Sequence, residues 1–136
     1  IEEWGRAEGA WRWLNLWATW CRPCTEEMPL LARWQKSLRA DGVNVDIELW
    51  SVDEEERALQ QWLADGRHEV GRMRWLRDIA ALGSTLETFG IDRNSAIPIH
   101  VFVDPQNSIR CVRVGSVHEG DFGAVKTMLV AGSKSL

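Results

Sequence analysis

The sequence predicts an α/β fold, a central mixed β-sheet flanked by helices on both faces. Three observations carry this expectation. Apolar strand patterns alternate with helical ones through the first part of the chain. The β-rich stretch 97–117 reads as a hairpin, and an amphipathic segment closes the chain, giving the order β-α-β-α-(irregular, α)-β-β-α. Strands separated by helices pair parallel and a hairpin pairs antiparallel, so one sheet holding both is mixed and needs cover on both faces.

Each element has its own signal. "WRWLNLW" (11–17) mixes aromatic and aliphatic residues and reads as a mostly buried strand. After the cysteines, "TEEMPLLARWQKSLRADG" places Met28, Leu31, Trp34 and Leu38 at helical spacing, with a kink expected at Pro29 and a stop at Gly42. "VNVDIELWSVD" (43–53) alternates Val43, Val45, Ile47 and Leu49 as a second strand. A helix over 53–66 follows, with Asp53 as its N-cap, acids in its first turn and Gly66 at its end. Region 67–94 reads as a variable insertion, with an extended piece near Met73–Leu76 and a helix within Asp78–Phe89. In the hairpin, two β-branched runs flank the turn signal "DPQNS", and 119–132 forms the last helix.

The 136 residues fit a single domain spanning 1–136, with 1–10 an irregular N-terminal remnant. A chain of that size buries about two-thirds of its unfolded surface and needs no cross-link to fold. The net charge of −4 argues against a nucleic-acid partner, which calls for a basic footprint. No stretch approaches the roughly 20 apolar residues of a membrane span. The chain begins at Ile1 rather than Met, so membrane anchoring is expected only through a missing N-terminal segment. Nine Trp and no Tyr is an unusual balance, and all nine lie between Trp4 and Trp75; core packing is the expected use, with a Trp-rich recognition surface as the alternative.

"NLWATWCRPC" (15–24) raises three chemistries: redox exchange, metal binding and a structural staple. Cys21 falls where a buried strand hands over to a helix, and the free N–H groups there favour a thiolate. Such settings lower a cysteine pKa from about 8.5 into the ~3.5–7.5 range. Cys24 lies one turn further on the same side, within reach of a disulfide that opens and closes by exchange. Pro23 fits the first turn, where its missing N–H costs nothing. A zinc site would add a second ligand pair, and Cys111, His68, His100 and His118 supply no second CxxC or HxxxH. A staple across two residues removes little loop entropy. These arguments favour exchange without excluding the others.

"NLWATWCRPCTEEMP" closely resembles the active-site stretch of the thioredoxin superfamily, most nearly its TlpA/ResA-like branch of extracytoplasmic thiol–disulfide oxidoreductases. "AIPIHVFVD" resembles that fold's cis-proline strand, Pro29 its helix-kinking proline and Gly115 a glycine of its last strand. The resemblance implies a thioredoxin-like fold without cofactor or metal, its redox centre being a Cys21–Cys24 disulfide. Cys21 would be the exposed nucleophile and Cys24 the buried resolving thiol. Pro98 would be cis against the disulfide, leaving the backbone at Ile97 to pair with a substrate strand. Trp20 would shield Cys21, Trp17 would pack beneath the site, and Arg22 and Pro23 would border the substrate. Asn15 stands where cytoplasmic thioredoxins carry a buried aspartate. Ile99 departs from the small polar residue usual after the cis-proline, and 67–94 is longer than the usual connection.

Several residues keep two readings. Glu27 is either a proton acceptor for Cys24 or a solvated first-turn acid, as Glu26 is expected to be. His100 is either a hydrogen-bonded core residue or a group tuning the cysteines. Cys111 is expected as a small buried hydrophobe, with a third redox thiol as the alternative. His68 and His118 read as loop residues. The implied function is reduction of disulfides in partner proteins through a mixed disulfide, followed by recharging from an upstream thiol reductant. The chain is expected to work as a monomer in the bacterial periplasm or at the outer face of the cytoplasmic membrane. The rivals are a metal-carrying or scaffold module, and a peroxiredoxin-like peroxidase, for which no Pro-x-x-x-Thr/Ser-x-x-Cys stretch surrounds Cys21.

Overall fold

A strand with large side chains on both faces belongs at the centre of a sheet, and β1 (Trp11–Trp17) is buried along its whole length. The computed structural model describes residues 9–66, 72–76, 84, 86–88, 90–91 and 96–134. After β1 come α1 (Arg22–Ala40), β2 (Val45–Ser51), α2 (Glu56–Ala64) and β3 (Arg72–Trp75). β4 (Ile99–Val103), β5 (Ile109–Val114), a 3-10 turn (Glu119–Asp121) and α3 (Phe122–Lys134) complete the order. The sheet runs β3-β2-β1-β4-β5. β1, β2 and β3 pair parallel, whereas β4 runs antiparallel to β1 and β5 antiparallel to β4. It is the expected mixed sheet.

Alternation along β1 builds two cores. Trp11, Trp13 and Trp17 face one side with Val45, Ile47 and Leu49, and α1, α2 and α3 cover them through Leu31, Trp34, Leu38, Leu59, Trp62 and Leu129. Leu14 and Leu16 face the other side with Trp50, Ile99, Val101 and Val103, where Leu86 and Ile91 cover them. Residues 84 and 86–88 are helical. The rest of the helix expected in 78–89 lies outside the described residues, as do Trp4 and His68. Six tryptophans (Trp11, Trp13, Trp17, Trp34, Trp50 and Trp62) are buried, so core packing accounts for most of them.

On the second face Arg12 is also buried and meets Glu48 with two bonds, Nε to Oε2 at 2.5 Å and Nη2 to Oε1 at 2.8 Å. A forked guanidinium–carboxylate pair satisfies both charges in place. Removing either partner would break this buried forked pair, at a cost of about 3–5 kcal/mol.

α1 starts at Arg22, earlier than the run from Thr25 suggests, so the turn between the cysteines is itself helical. It continues through Pro29 to Ala40. It ends where Gly42 takes φ +82 and the Val43 N–H bonds the Leu38 carbonyl at 2.9 Å. Two expectations are corrected. The N-cap of α2 is Glu55, without a side-chain cap bond, and not Asp53. Cys111 is exposed rather than buried. β5 is an edge strand with a single sheet neighbour, and burial at an edge depends on strand order, which local pattern does not encode.

The packing of α3 against β1 predicts an asymmetry between glycines. A Cβ on Gly132 would run into the Trp11 indole, whereas one on Gly123 meets nothing within 4 Å. Gly132→Ala should cost about 1–3 kcal/mol in urea unfolding through overpacking. Gly123→Ala should be neutral or stabilise by up to ~1 kcal/mol.

Candidate active site

Cys21 and Cys24 form a disulfide with Cα atoms 5.3 Å apart. Cys21 is the N-cap of α1, its backbone still extended at φ −86 and ψ 101, and its sulfur accepts from the Cys24 N–H at 3.3 Å. Pro23 takes an early position where no donor is needed. The helix N-terminus thus points a backbone donor at the sulfur of Cys21, the arrangement that stabilises negative charge there. Cys21 is 5% exposed and Cys24 0%, so the first thiol is the more accessible, but it is not openly exposed as expected. Its sulfur turns inward toward Cys24 and lies 3.8 Å from the Ile97 carbonyl oxygen. Trp20 beside it is 70% exposed, while Arg22 pairs with Glu26 at 2.7 Å on the open helix face.

The other wall is the entry to β4. The Ile97–Pro98 peptide bond is cis. Pro98 is buried, Ile97 half-buried, and the Pro98 carbonyl accepts from Gly115 N–H at 2.8 Å. Gly115 sits at φ +113, a conformation that favours glycine.

Glu27 is buried, which overturns the solvated reading, whereas Glu26 is exposed as expected. Its Oε1 accepts from Asn15 Nδ2 at 3.3 Å and from His100 Nε2 at 3.1 Å. Its Oε2 accepts from Val117 N–H at 2.9 Å. His100 is fully buried, and its Nδ1 accepts from Trp13 Nε1 at 2.9 Å. The structure therefore brings Glu27, Asn15 and His100 into one polar cluster behind the cysteine turn. Glu27 and Pro23 also line a surface groove of about 390 Å³, closed on its far side by Ser116–Glu119.

Sequence reasoning missed Asp53. It is buried and accepts from Thr19 N–H at 3.1 Å, Thr19 Oγ1 at 2.7 Å and Ser51 Oγ at 2.5 Å. Its carbonyl accepts from Trp75 Nε1 at 2.9 Å. Asp53 thereby ties the loop that delivers Trp20 and Cys21 to the ends of β2 and β3. The run "DEEE" offered a local helix-start signal, and the true partner, Thr19, lies 34 residues away. Trp20, Asp53, Glu54 and Glu55 line an acidic groove beside the disulfide.

At the far end, His118 N–H donates to Asp121 at 2.8 Å. That bond, with Arg113 nearby, holds the Asp121 carboxyl below the usual carboxylate range against the opposing effect of desolvation. It fixes the segment that presents Val117 N–H to Glu27.

Residues 3–112 match the AhpC/TSA family, and the chain belongs to it. Among curated relatives, the thioredoxin-like protein YneN of Bacillus subtilis is 36% identical over 47 residues, covering 35% of this chain and 28% of that protein. The thiol-disulfide oxidoreductase ResA of the same organism is 44% identical over 32 residues, covering 24% of this chain and 18% of that protein. The chain thus aligns with less than a third of either relative. Among solved structures, the thioredoxin domain of a Bacteroides vulgatus thiol-disulfide oxidoreductase superposes with a TM-score of 0.69 at 18% identity, covering 90% of this chain and 81% of that one. The fold is thioredoxin-like, and the chain carries a CxxC pair at the start of α1.

Two predictions follow from the supports of the site. Asp53→Ala orphans Thr19 N–H, the Thr19 hydroxyl and the Ser51 hydroxyl, and should cost about 2–4 kcal/mol in chemical denaturation. Asp121 has a depressed carboxyl, so its contribution to stability is present above its ordinary value of 3.8 and is lost as pH falls through the lower folded value. Asp121→Asn should flatten that part of the stability-versus-pH curve and leave the neutral region little changed.

Proposed function

We propose that this AhpC/TSA-family chain is a thiol–disulfide oxidoreductase that reduces disulfides in partner proteins through a mixed disulfide. The observation that carries the reading is the Cys21–Cys24 disulfide at the start of α1, with the more accessible sulfur at the helix cap. In the reduced form the Cys21 thiolate attacks a partner disulfide, forms a mixed disulfide and releases one partner thiol. The Cys24 thiol then gives up its proton and attacks Cys21 Sγ. The Cys21–partner bond breaks, the electron pair leaves on the second partner sulfur, and that sulfur is protonated. Two electrons pass to the partner, and an upstream thiol reductant restores the dithiol.

Glu27, three residues after Cys24 on the same helix, takes up the proton of Cys24. The substrate strand lies against Ile97, beside the cis Pro98, and Trp20, Arg22 and Pro23 border it. Partners are exported proteins with accessible disulfides. The working compartment is extracytoplasmic, the periplasm or the outer face of the cytoplasmic membrane, and the working form is a monomer. The ResA-like character of the active-site stretch supports this assignment over a metal carrier or scaffold. Against a peroxidase, Ala18 stands where a Pro-x-x-x-Thr/Ser-x-x-Cys stretch would place its hydroxyl.

Insulin reduction with a thiol reductant tests the reading. Cys21→Ser should abolish turnover, and Cys24→Ser should stop after one event and accumulate mixed disulfides visible by mass spectrometry. Wild-type-like turnover in either variant would sink the mechanism. Alkylation of reduced Cys21 should reach half its maximal rate well below the ~8.5 of a free cysteine.

A further inference from the structure

His100 is a buried ionisable group that the disulfide chemistry does not use directly. Its ring nitrogens have unequal surroundings. Nδ1 faces Trp13 Nε1 at 2.9 Å and Asn15 Nδ2 at 3.2 Å. An indole N–H can only donate. Asn15 is fixed the same way round, since flipping its amide would set its oxygen against two acceptors, Glu27 Oε1 and His100 Nδ1. Nδ1 therefore carries no proton, and the neutral ring carries its proton on Nε2. That nitrogen faces Glu27 at 3.1 Å to Oε1 and 3.3 Å to Oε2. The Trp13 and His100 rings meet edge-on with centroids 5.8 Å apart, consistent with an in-plane bond to Nδ1.

We propose that His100 is a positioning residue: Trp13 and Asn15 lock it in the Nε2–H tautomer, and in that form it holds the Glu27 carboxylate as the proton acceptor for Cys24. The inference deepens the proposed function and rests on it. Every side-chain and backbone partner of Glu27 in the cluster is a donor: Asn15, His100 and Val117. Substitution of His100 would remove the one donor that faces both carboxylate oxygens, leaving Oε1 with Asn15 and Oε2 with Val117 and holding the carboxylate less firmly. The charged groups that face His100 are Glu27 from α1 and its cross-strand neighbour Arg113 on β5. Arg113 is itself engaged by Asp121 at 3.3 Å and the Ser116 carbonyl at 2.8 Å. β1 presents only the neutral Asn15 and Trp13. Nδ1 of His100 already faces two donors, so the ring serves as a fixed donor toward Glu27.

Dithiobis(nitrobenzoate) separates the two steps on the reduced protein in a Cys111→Ser background, which removes the exposed third thiol that would otherwise react with the reagent. Attack by Cys21 releases a first thionitrobenzoate, and resolution by Cys24 releases a second. His100→Phe should leave the first phase unchanged, slow the second by about tenfold and move its acid limb to higher pH. His100→Gln, whose amide can restore a donor near the Nε2 position, should recover most of the rate and the profile. Equal second-phase rates and pH limbs in wild type and His100→Phe would overturn the proposal, as would slowing of both phases alike in both variants. Absence of any second release in wild type would instead count against the dithiol mechanism itself. Ring-nitrogen NMR on the wild-type protein adds a test independent of folding of the variants. It should show the Nε2–H tautomer of the neutral ring, and an Nδ1–H tautomer would overturn the lock.

Discussion

The burial of β1 on both faces is the constraint from which the rest of the architecture follows. A strand at the centre of a five-stranded sheet, with no residue open to solvent, cannot leave a polar side chain to water. Three of its polar residues draw a partner from a distant segment, although Trp17 Nε1 and Asn15 Oδ1 are buried with no hydrogen-bond partner among the described residues. Arg12 draws Glu48 from β2, Asn15 draws Glu27 from α1, and the Trp13 indole draws His100 from β4. Each unmet bond of this kind would cost on the order of 1–3 kcal/mol, more where charge is involved. β1 therefore selects the polar chemistry of its neighbours as well as their hydrophobic packing.

The redox pair inherits its setting from that strand. β1 emerges at Ala18, Asp53 fixes the next turn, and Cys21 caps the helix that packs back over the same strand. This is the carboxyl end of the parallel strands, where open α/β sheets present their binding sites. The entry to β4 supplies the Ile97–Pro98 wall beside the sulfurs, and β4 itself supplies His100 behind them. Two bonds close the frame, Gly115 N–H to Pro98 and Val117 N–H to Glu27, so the end of β5 is joined to both the wall and the helix.

How much of this was legible in the sequence depended on how local the cause was. The strand, the helix start, the CxxC turn and the hairpin are written in neighbouring residues, and their patterns predicted the mixed sheet. Helical spacing sets Glu27 on one face with Cys24 and strand spacing sets His100 on one face with Pro98, yet their contact spans 73 residues and neither pattern contains it. Asp53 shows a local signal outcompeted. Its acidic run reads as a cap, but a buried hydroxyl and two neighbouring donors secure the carboxylate more effectively than an exposed helix end could. Cys111 fails for a related reason, since a mid-strand cysteine is buried or exposed according to whether its strand lies at an edge.

The two cysteines are also made electrostatically unequal. A negative charge on Cys21 is met by the start of α1 and the Cys24 N–H. Cys24 lies three residues before Glu27 on the same helix, a spacing that brings side chains into neighbouring positions. A charge on Cys24 would lie beside the Glu27 carboxylate in a buried setting, where screening by water is weak. A standing thiolate at Cys24 is therefore disfavoured while one at Cys21 is supported. If the proton moves to Glu27 as the new S–S bond forms, the cluster never holds two anions at once. In the proposed mechanism, the order Cys21 first and Cys24 only after the mixed disulfide exists is favoured by charge placement as well as by access.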